Sequence, residues 1–384
     1  MIPSACNHLT VKKSVFFLCL LLIPAAAFCY HIRYNGYYLA RLGISLPQFK
    51  IVAFSGNDKV LLGIEQVNNL KLRAKGYGWI LRIFTIGQYD RIAGIRSVLL
   101  PAADIDNLAL SDNGKVGIII SQYGTRIFQI NLENGKLKTI FSYTPGKSGF
   151  RSDKNLCWFA HKSFYTEGYF YDKNGYYLST DVVKFNLSHP NSVKLFEKKW
   201  NIRKTEKLLG VPITGWLVSG TEGFLGMRRP QSHEIILYYY HKGILKPIQR
   251  AKDYGGLAAT SHRILYAALL KSGIRKLIIK DAKSNRTWIL YSGKTPYLYP
   301  YLSRKGGHTA VAATMNLKKG VMSFFYAEQK NRFKLKPLNP LQRVNLGIFR
   351  LSPDGKHYAF LNKKGLWLGT IPSENPHSLP PPIY

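Results

Sequence analysis

One phrase returns along this chain at intervals of about fifty residues, and it constrains the fold more than any other feature. Its clearest copy is FRLSPDGKHYAFLNKKGLWLGTI, residues 349–371. Apolar residues lead into Ser352-Pro353-Asp354-Gly355, and the alternating run His357-Tyr358-Ala359-Phe360-Leu361 follows. Pro353 presets φ, Asp354 can bond its own backbone, and Gly355 tolerates φ > 0, so the four residues favour a tight reversal. A second break at residues 362–365 leads into Leu366-Trp367-Leu368. Three short strands joined by turns are what the phrase encodes.

A second copy runs from Leu108-Ala109-Leu110 through Ser111-Asp112-Asn113-Gly114 to Val116-Gly117-Ile118-Ile119-Ile120. Strand material at 126–131, an Asn134-Gly135 hairpin signal and residues 137–141 complete four strands in about forty residues, the size of one β-propeller blade. Ser55, Ser111, Ser163, Ser219, Ser261, Ser303 and Ser352 mark the equivalent turns, spaced 56, 52, 56, 42, 42 and 49 residues apart. Repeats of this length built from short strands point to a propeller rather than a sandwich. Seven units over residues 36–371 average 48 residues each, whereas six would need 56. The expectation is therefore an all-β chain folded as a single β-propeller, with seven four-stranded blades and with six or eight as the alternatives. The last unit supplies three strands, and residues 37–46 are expected to add the fourth and close the ring, which removes exposed sheet edges. No helix of ten or more residues is expected after the leader.

The Ser-Pro-Asp-Gly turn between an apolar strand and a strand of the Tyr-Ala-Phe kind resembles the repeat of TolB-type β-propellers. The resemblance covers most of residues 49–371 and is most specific in the final unit. It implies a propeller exported across the inner membrane and used for protein–protein contact. Nothing corresponds to the N-terminal α/β domain of TolB, because only about twenty residues separate the leader from the first unit. Neither partner identity nor any catalytic residue follows from the resemblance.

The N-terminus carries an address. Lys12 and Lys13 precede an apolar run, residues 15–27, that ends in Ala25-Ala26-Ala27. A basic region, a short apolar stretch and an A-x-A site are the parts of a secretory signal peptide. Residues 1–27 are expected either to be cleaved or, extended to about residue 32, to stay as an inner-membrane anchor. Export then leads to the periplasm or cell surface. Cys6 and Cys19 would leave with a cleaved leader. Cys29 and Cys157 would remain and could pair in an oxidising compartment, or Cys157, in Leu156-Cys157-Trp158-Phe159, which reads as a buried strand, stays an inert thiol. Residues 372–384 form a Pro-rich tail expected to be disordered, although Pro381-Pro382-Ile383-Tyr384 matches a WW-ligand pattern.

Lys+Arg 55 against Asp+Glu 20 gives a net charge of +35. The basic residues are scattered, with no block of five or six like charges. That distribution favours a basic soluble surface with weak, non-specific contact to anionic lipid or polysaccharide, and no nucleic-acid partner is expected. Catalytic signatures are absent: there is no G-x-S-x-G, no H-E-x-x-H, no Cys-x-x-Cys and no Walker loop. No cofactor and no metal are expected. Carboxylates concentrate at Asp104-Ile105-Asp106, just before an innermost strand, where the pair needs no role beyond shaping a turn. Arg151 with Asp153, Arg250 with Asp253, and Tyr297 with Tyr299 occupy equivalent connections before later units. These eight residues are the candidates for a site at the channel mouth. The expected function is a non-catalytic interaction module that binds another envelope protein. A propeller hydrolase, lactonase-like or sugar-cleaving, is the alternative.

Overall fold

The computed structural model describes residues 31–34, 37–41, 49–87, 92–101, 103–160, 163–187, 196–201, 213–219, 222–228, 234–241, 244–260, 262–294, 298–316, 321–338, 349–362 and 365–372. The leader, Cys29, Ser261, Tyr297 and the Pro-rich tail lie outside them. The described strands form seven separate antiparallel sheets. In chain order, sheets I to VI span residues 49–101, 105–142, 149–201, 213–251, 253–293 and 298–337 and hold four strands each. Sheet VII spans 349–370 and takes in two strands from the chain's beginning. In sheet I the order is Phe49–Phe54, Val60–Gln66, Tyr77–Ile86, Ile92–Pro101, each strand beside its predecessor. The first strand of sheet I touches the first strands of both sheet II and sheet VII, so the succession returns on itself.

Second strands are buried on both faces, which explains their unbroken apolar runs. Val116–Ser121 is buried at every position after the first, and in Arg263–Leu269 only the last residue is not buried. Apolar clusters fill the spaces between neighbouring sheets. Phe54, Leu61 and Phe84 of sheet I meet Ala359, Leu366 and Leu368 of sheet VII, while Leu62, Ile64 and Leu81 meet Leu108, Leu110 and Ile119 of sheet II. Each fully buried side chain of this size contributes about 1.5–3 kcal/mol. The sheets cohere because every one of them is wedged between two others.

Tyr37–Arg41 pairs with Gly365–Thr370, aligning Leu39 with Gly369 and Arg41 with Trp367. The N-terminal segment thus supplies the fourth strand of the last unit, as expected. A fifth strand, His31–Tyr34, adds outside it, in a stretch the sequence had offered to a membrane anchor. The third unit departs from expectation at its edge. The sequence offers Val193 to Phe196 for its fourth strand, whereas the strand is Phe196–Asn201, beginning where that run ends. An outermost strand is paired on one side only, so Glu197-Lys198-Lys199 can form it without apolar patterning. The described helices are the single turn Leu70–Ala74 and a 3-10 turn at Gln329–Asn331.

The recurring serine has a physical job. Ser55, Ser111 and Ser352 each donate to Oδ1 of the residue two ahead, Asn57, Asn113 and Asp354, at 2.6–2.8 Å. Each hydroxyl also accepts the amide five ahead, from Val60, Val116 and His357, at 2.9–3.0 Å. Ser303 makes the same bond one residue later, to Thr309. In sheet V the turn hydroxyl is that of Thr260, which accepts the Arg263 amide at 3.0 Å. Ser163 opens strand Ser163–Tyr171 and Ser219 ends strand Ile213–Ser219, each beside a first-to-second-strand turn whose residues lie outside the described ones. The residue three after the serine is left-handed, with φ of +71° at Gly114 and +78° at Gly355. A Cβ on Gly355 would lie 2.5 Å from the Thr309 side chain, and one on Gly114 would lie 2.9 Å from Val60. Each turn therefore leans on the turn of the preceding sheet.

Candidate functional site

The sheets present two ends. One carries the serine turns. The other carries the connections between sheets and the loops between second and third strands, and three of the candidate residues gather there. Gln122, Tyr123 and Gly124 link the second and third strands of sheet II, and all three are left-handed, with φ of 53°, 55° and 78°. Two non-glycine residues in that region store backbone strain of order 1–3 kcal/mol each, so their surroundings must hold them. Asp104 accepts the Gln122 amide on its backbone carbonyl at 2.8 Å. Asp106 Oδ2 accepts the Gly124 amide at 3.0 Å. Arg151 donates Nε and Nη2 to the Tyr123 carbonyl at 3.3 and 3.1 Å, and the Ser152 amide donates to Gly124 at 2.8 Å. The loop is gripped from the connections on both sides, and the Tyr123 side chain is held outward, 64% exposed.

Beside it a cleft of about 400 Å³ opens between sheets I and II, lined by Gln66, Gly78, Trp79, Ala103, Asp104 and Gln122. The Trp79 indole N–H donates to the Ala103 carbonyl at 2.6 Å, which fixes the ring at the wall. The cleft offers an indole, two amide side chains and one carboxylate, a set suited to hydrogen-bonding and stacking on a polar ligand. Among the described residues no group of three His, Cys, Asp or Glu side chains is placed to hold a metal ion.

The other candidates stay apart. Arg250 is exposed on strand Ile244–Ala251, and Asp253 opens the next sheet with Oδ1 accepting the adjacent Tyr254 amide at 2.8 Å. Among the described residues no ion pair joins them. Tyr299 packs against the apolar cluster between sheets VI and VII. Asp153 lies in strand Gly149–Ala160, and its side chain is outside the description, as is Tyr297. Sequence reasoning passed over Gln66, Trp79, Gln122 and Tyr123. The one available signal was an aromatic directly before glycine in the Tyr123-Gly124 hairpin.

The carboxylates whose protonation is displaced sit at the serine-turn end. Asp58 holds the left-handed position that Gly114 and Gly355 hold in sister turns, with φ of 62°, and is 7% exposed. It lies at the seam between sheets VII and I. Burial, reinforced by the Asp354 carboxylate, pushes its carboxyl up to about 6, against the opposing pull of the Asp354 amide and Lys305. The Asp354 amide donates to Asp58 Oδ1 at 3.3 Å, and Lys305 Nζ stands 3.5 Å from Oδ2. Asp281 moves the other way. Burial alone would raise it, but the Ser284 amide and the Arg263 guanidinium hold it below the usual range. Arg263 donates to Asp281 at 2.9 Å, to the Gly306 carbonyl at 2.8 Å and to Gln329 at 2.7 Å, bolting sheet V to sheet VI. Glu133, also at this end, is lowered by its exposed hydrogen bond to Lys115.

No family model matches the chain, and no curated protein does. Solved structures do. An oligogalacturonate lyase bound to manganese matches at 10% identity and a TM-score of 0.53, covering 90% of this chain and 96% of that one. The oligogalacturonate lyase of Vibrio parahaemolyticus matches at 9% identity, TM-score 0.52, with the same coverage. TolB from Acinetobacter baumannii matches at 15% identity and a TM-score of 0.41, over 76% of this chain and 66% of that one. The seven sheets, their closure by the N-terminal strand and the likeness to the oligogalacturonate lyases establish that the chain is a β-propeller.

Proposed function

We propose that this chain is an exported, non-catalytic propeller that binds a protein partner at the cell envelope and is drawn weakly to anionic lipid or polysaccharide. The observation that carries this is the use of its few acidic groups. Asp106 holds the Gly124 amide, Asp281 holds Arg263, Glu65 pairs with Arg82, and Asp58 is built into the ring seam. Catalysis by general acid and base needs titratable groups turned toward a bound substrate, whereas these groups are engaged by amides, guanidinium groups and a lysine of the chain itself. A net charge of +35 supplies the attraction to anionic surfaces. The leader, residues 1–27 or the anchor extended to about 32, places the propeller, 36–371, at the periplasmic face or cell surface, with 372–384 as its tail.

A sugar-cleaving propeller is the second reading. Asp104 beside Trp79 and Gln122 in the cleft favours it, and so do the oligogalacturonate lyases among the structural likenesses. The two are separated by one pair of measurements. A photo-crosslinking residue placed in turn at exposed positions around the ring, in cells, should yield one discrete adduct to a single envelope protein from a contiguous set of positions. Turnover of an oligouronide or a lactone by the purified protein, abolished by Asp104→Asn, would overturn the non-catalytic reading.

A further inference from the structure

Exposed apolar side chains in this protein are not scattered. Among the described residues the large exposed hydrophobics are Leu70, Tyr123, Tyr176, Tyr177, Leu178, Ile244 and Ile289. The first five all lie at one end of three consecutive sheets, in or beside the loops between second and third strands. Leu70 begins the helix Leu70–Ala74 of sheet I and is 78% exposed, and none of that helix's side chains is buried. The turn is held by its Asn69 cap on the Lys71 and Leu72 amides and by Arg73 on the Val67 carbonyl, with only Leu72 half-buried, so packing does not account for Leu70 at its tip. Tyr123, at 64%, tops the strained loop of sheet II. Tyr176, at 70%, and Leu178, at 51%, stand at the loop of sheet III. The three loops form one continuous stretch of surface. The Trp79 cleft joins the first to the second, and Arg151 on the Tyr123 carbonyl joins the second to the connection before sheet III. Tyr143 of that connection lies 6.0 Å from Tyr171, beside the third loop.

The same loops are basic. Lys71, Arg73 and Lys75 flank Leu70, Lys147 lies in the connection beside Tyr143, and Lys173 lies in the turn before Tyr176, all exposed. Among the described residues none of these five forms an ion pair. Asp172, in the third loop, has its carboxylate turned to the Asn174 and Tyr176 amides. Protruding leucine and tyrosine between lysines is the chemistry of an anionic bilayer surface: apolar tips enter the acyl boundary, tyrosine sits at the headgroups, and lysine meets the phosphates. Leucine tips set lipid apart from a glycan, which stacks on aromatic rings and gains nothing from Leu70 or Leu178. We propose that this end of sheets I to III is a peripheral membrane-docking face for anionic lipid. This rests on the anionic contact proposed above and gives that contact an address, leaving the serine-turn end for a protein partner.

The test is co-sedimentation of the full chain with vesicles of about one-third phosphatidylglycerol in phosphatidylcholine, across a salt series. Three exposed lysines near one membrane, reversed together, should cut partitioning more than about tenfold, so Lys71→Glu/Lys147→Glu/Lys173→Glu should do so. The control Lys136→Glu/Lys283→Glu/Lys334→Glu changes net charge equally at the opposite end and should cut it less than about twofold. The tip variant Leu70→Ser/Tyr123→Asn/Tyr176→Ser should abolish the binding that survives physiological salt, with its melting temperature unchanged. Equal losses in the two charge variants would overturn the address while leaving diffuse anionic attraction standing. Failure of the unaltered chain to sediment would remove both. Capture by polyglutamate or polygalacturonate without any vesicle binding would show that the face reads an acidic polymer and would overturn the lipid assignment.

Discussion

Asp58→Asn isolates the carboxylate at the ring seam. The carboxyl titrates at 3.8 when unburied and at about 6 in the fold, a displacement worth about 3 kcal/mol at 1.36 kcal/mol per pH unit. Because the folded value is the higher one, the contribution is fully present below pH 3.8 and is lost as pH rises through 6. Asparagine keeps an oxygen to accept the Asp354 amide, tolerates the left-handed backbone and carries no charge. It also gives up Lys305, whose opposing pull on the charged form is already contained in that displacement. The variant should match the parent near pH 4 and exceed it by about 2–3 kcal/mol from pH 7 upward. For a propeller of about 340 residues this is a rise of roughly 3–4 °C in melting temperature. Urea denaturation of both proteins at steps between about pH 4 and 8 reads it directly. Parallel stability curves, or a variant weaker than the parent at pH 8, would refute the claim that a desolvated charge sits at the seam.

Gly355→Val should cost more than about 3 kcal/mol, combining left-handed strain with a Cβ 2.5 Å from the Thr309 side chain; a denaturation midpoint like the parent's would contradict the turn-on-turn packing. Arg263→Met strips the guanidinium from buried Asp281 and should lose about 3–5 kcal/mol, with Asp281→Asn added to it recovering part; additive losses in the double variant would show that the two are not coupled. Deleting residues 31–41 uncovers the edge of Gly365–Thr370, and soluble yield should collapse. A monomeric product melting with the parent would count against strand closure.

Much of the fold was legible because its determinants are local. Ser-x-Asn/Asp-Gly states its own turn, and an apolar run such as Val116-Gly117-Ile118-Ile119-Ile120 states a strand buried on both faces. In sheet V the described turn hydroxyl is that of Thr260, beside the expected Ser261, because threonine can supply the same bond. Asp58 was read as one member of a permuted turn, because its meaning comes from Asp354 and Lys305, about 296 and 247 residues away. The candidate site was legible only where it hangs on register. Asp104, Asp106 and Arg151 were found as connection residues, but what they grip, the left-handed 122–124 loop, depends on which hairpin lies beside which connection. Trp79 and Gln66 were missed for the same reason: a cleft between two sheets leaves no mark in either sheet's own sequence.

The pairing of Leu39 with Gly369 makes a strand from the start of the chain the last to find its place. Bringing together ends about 330 residues apart costs roughly 5 kcal/mol of loop-closure entropy, unless the intervening sheets have already stacked and delivered the two ends to each other. Sheets I to VI can assemble in the order in which they emerge from synthesis, each from hairpins a few residues apart. The seal must wait for residue 370. A chain broken off before Gly365 would carry its finished sheets with a gap on one flank and two unsatisfied edges facing it, open to proteases and to other chains. Translation as far as residue 370 is thereby written into resistance to degradation, and only a molecule that includes Gly365–Thr370 reaches the closed state.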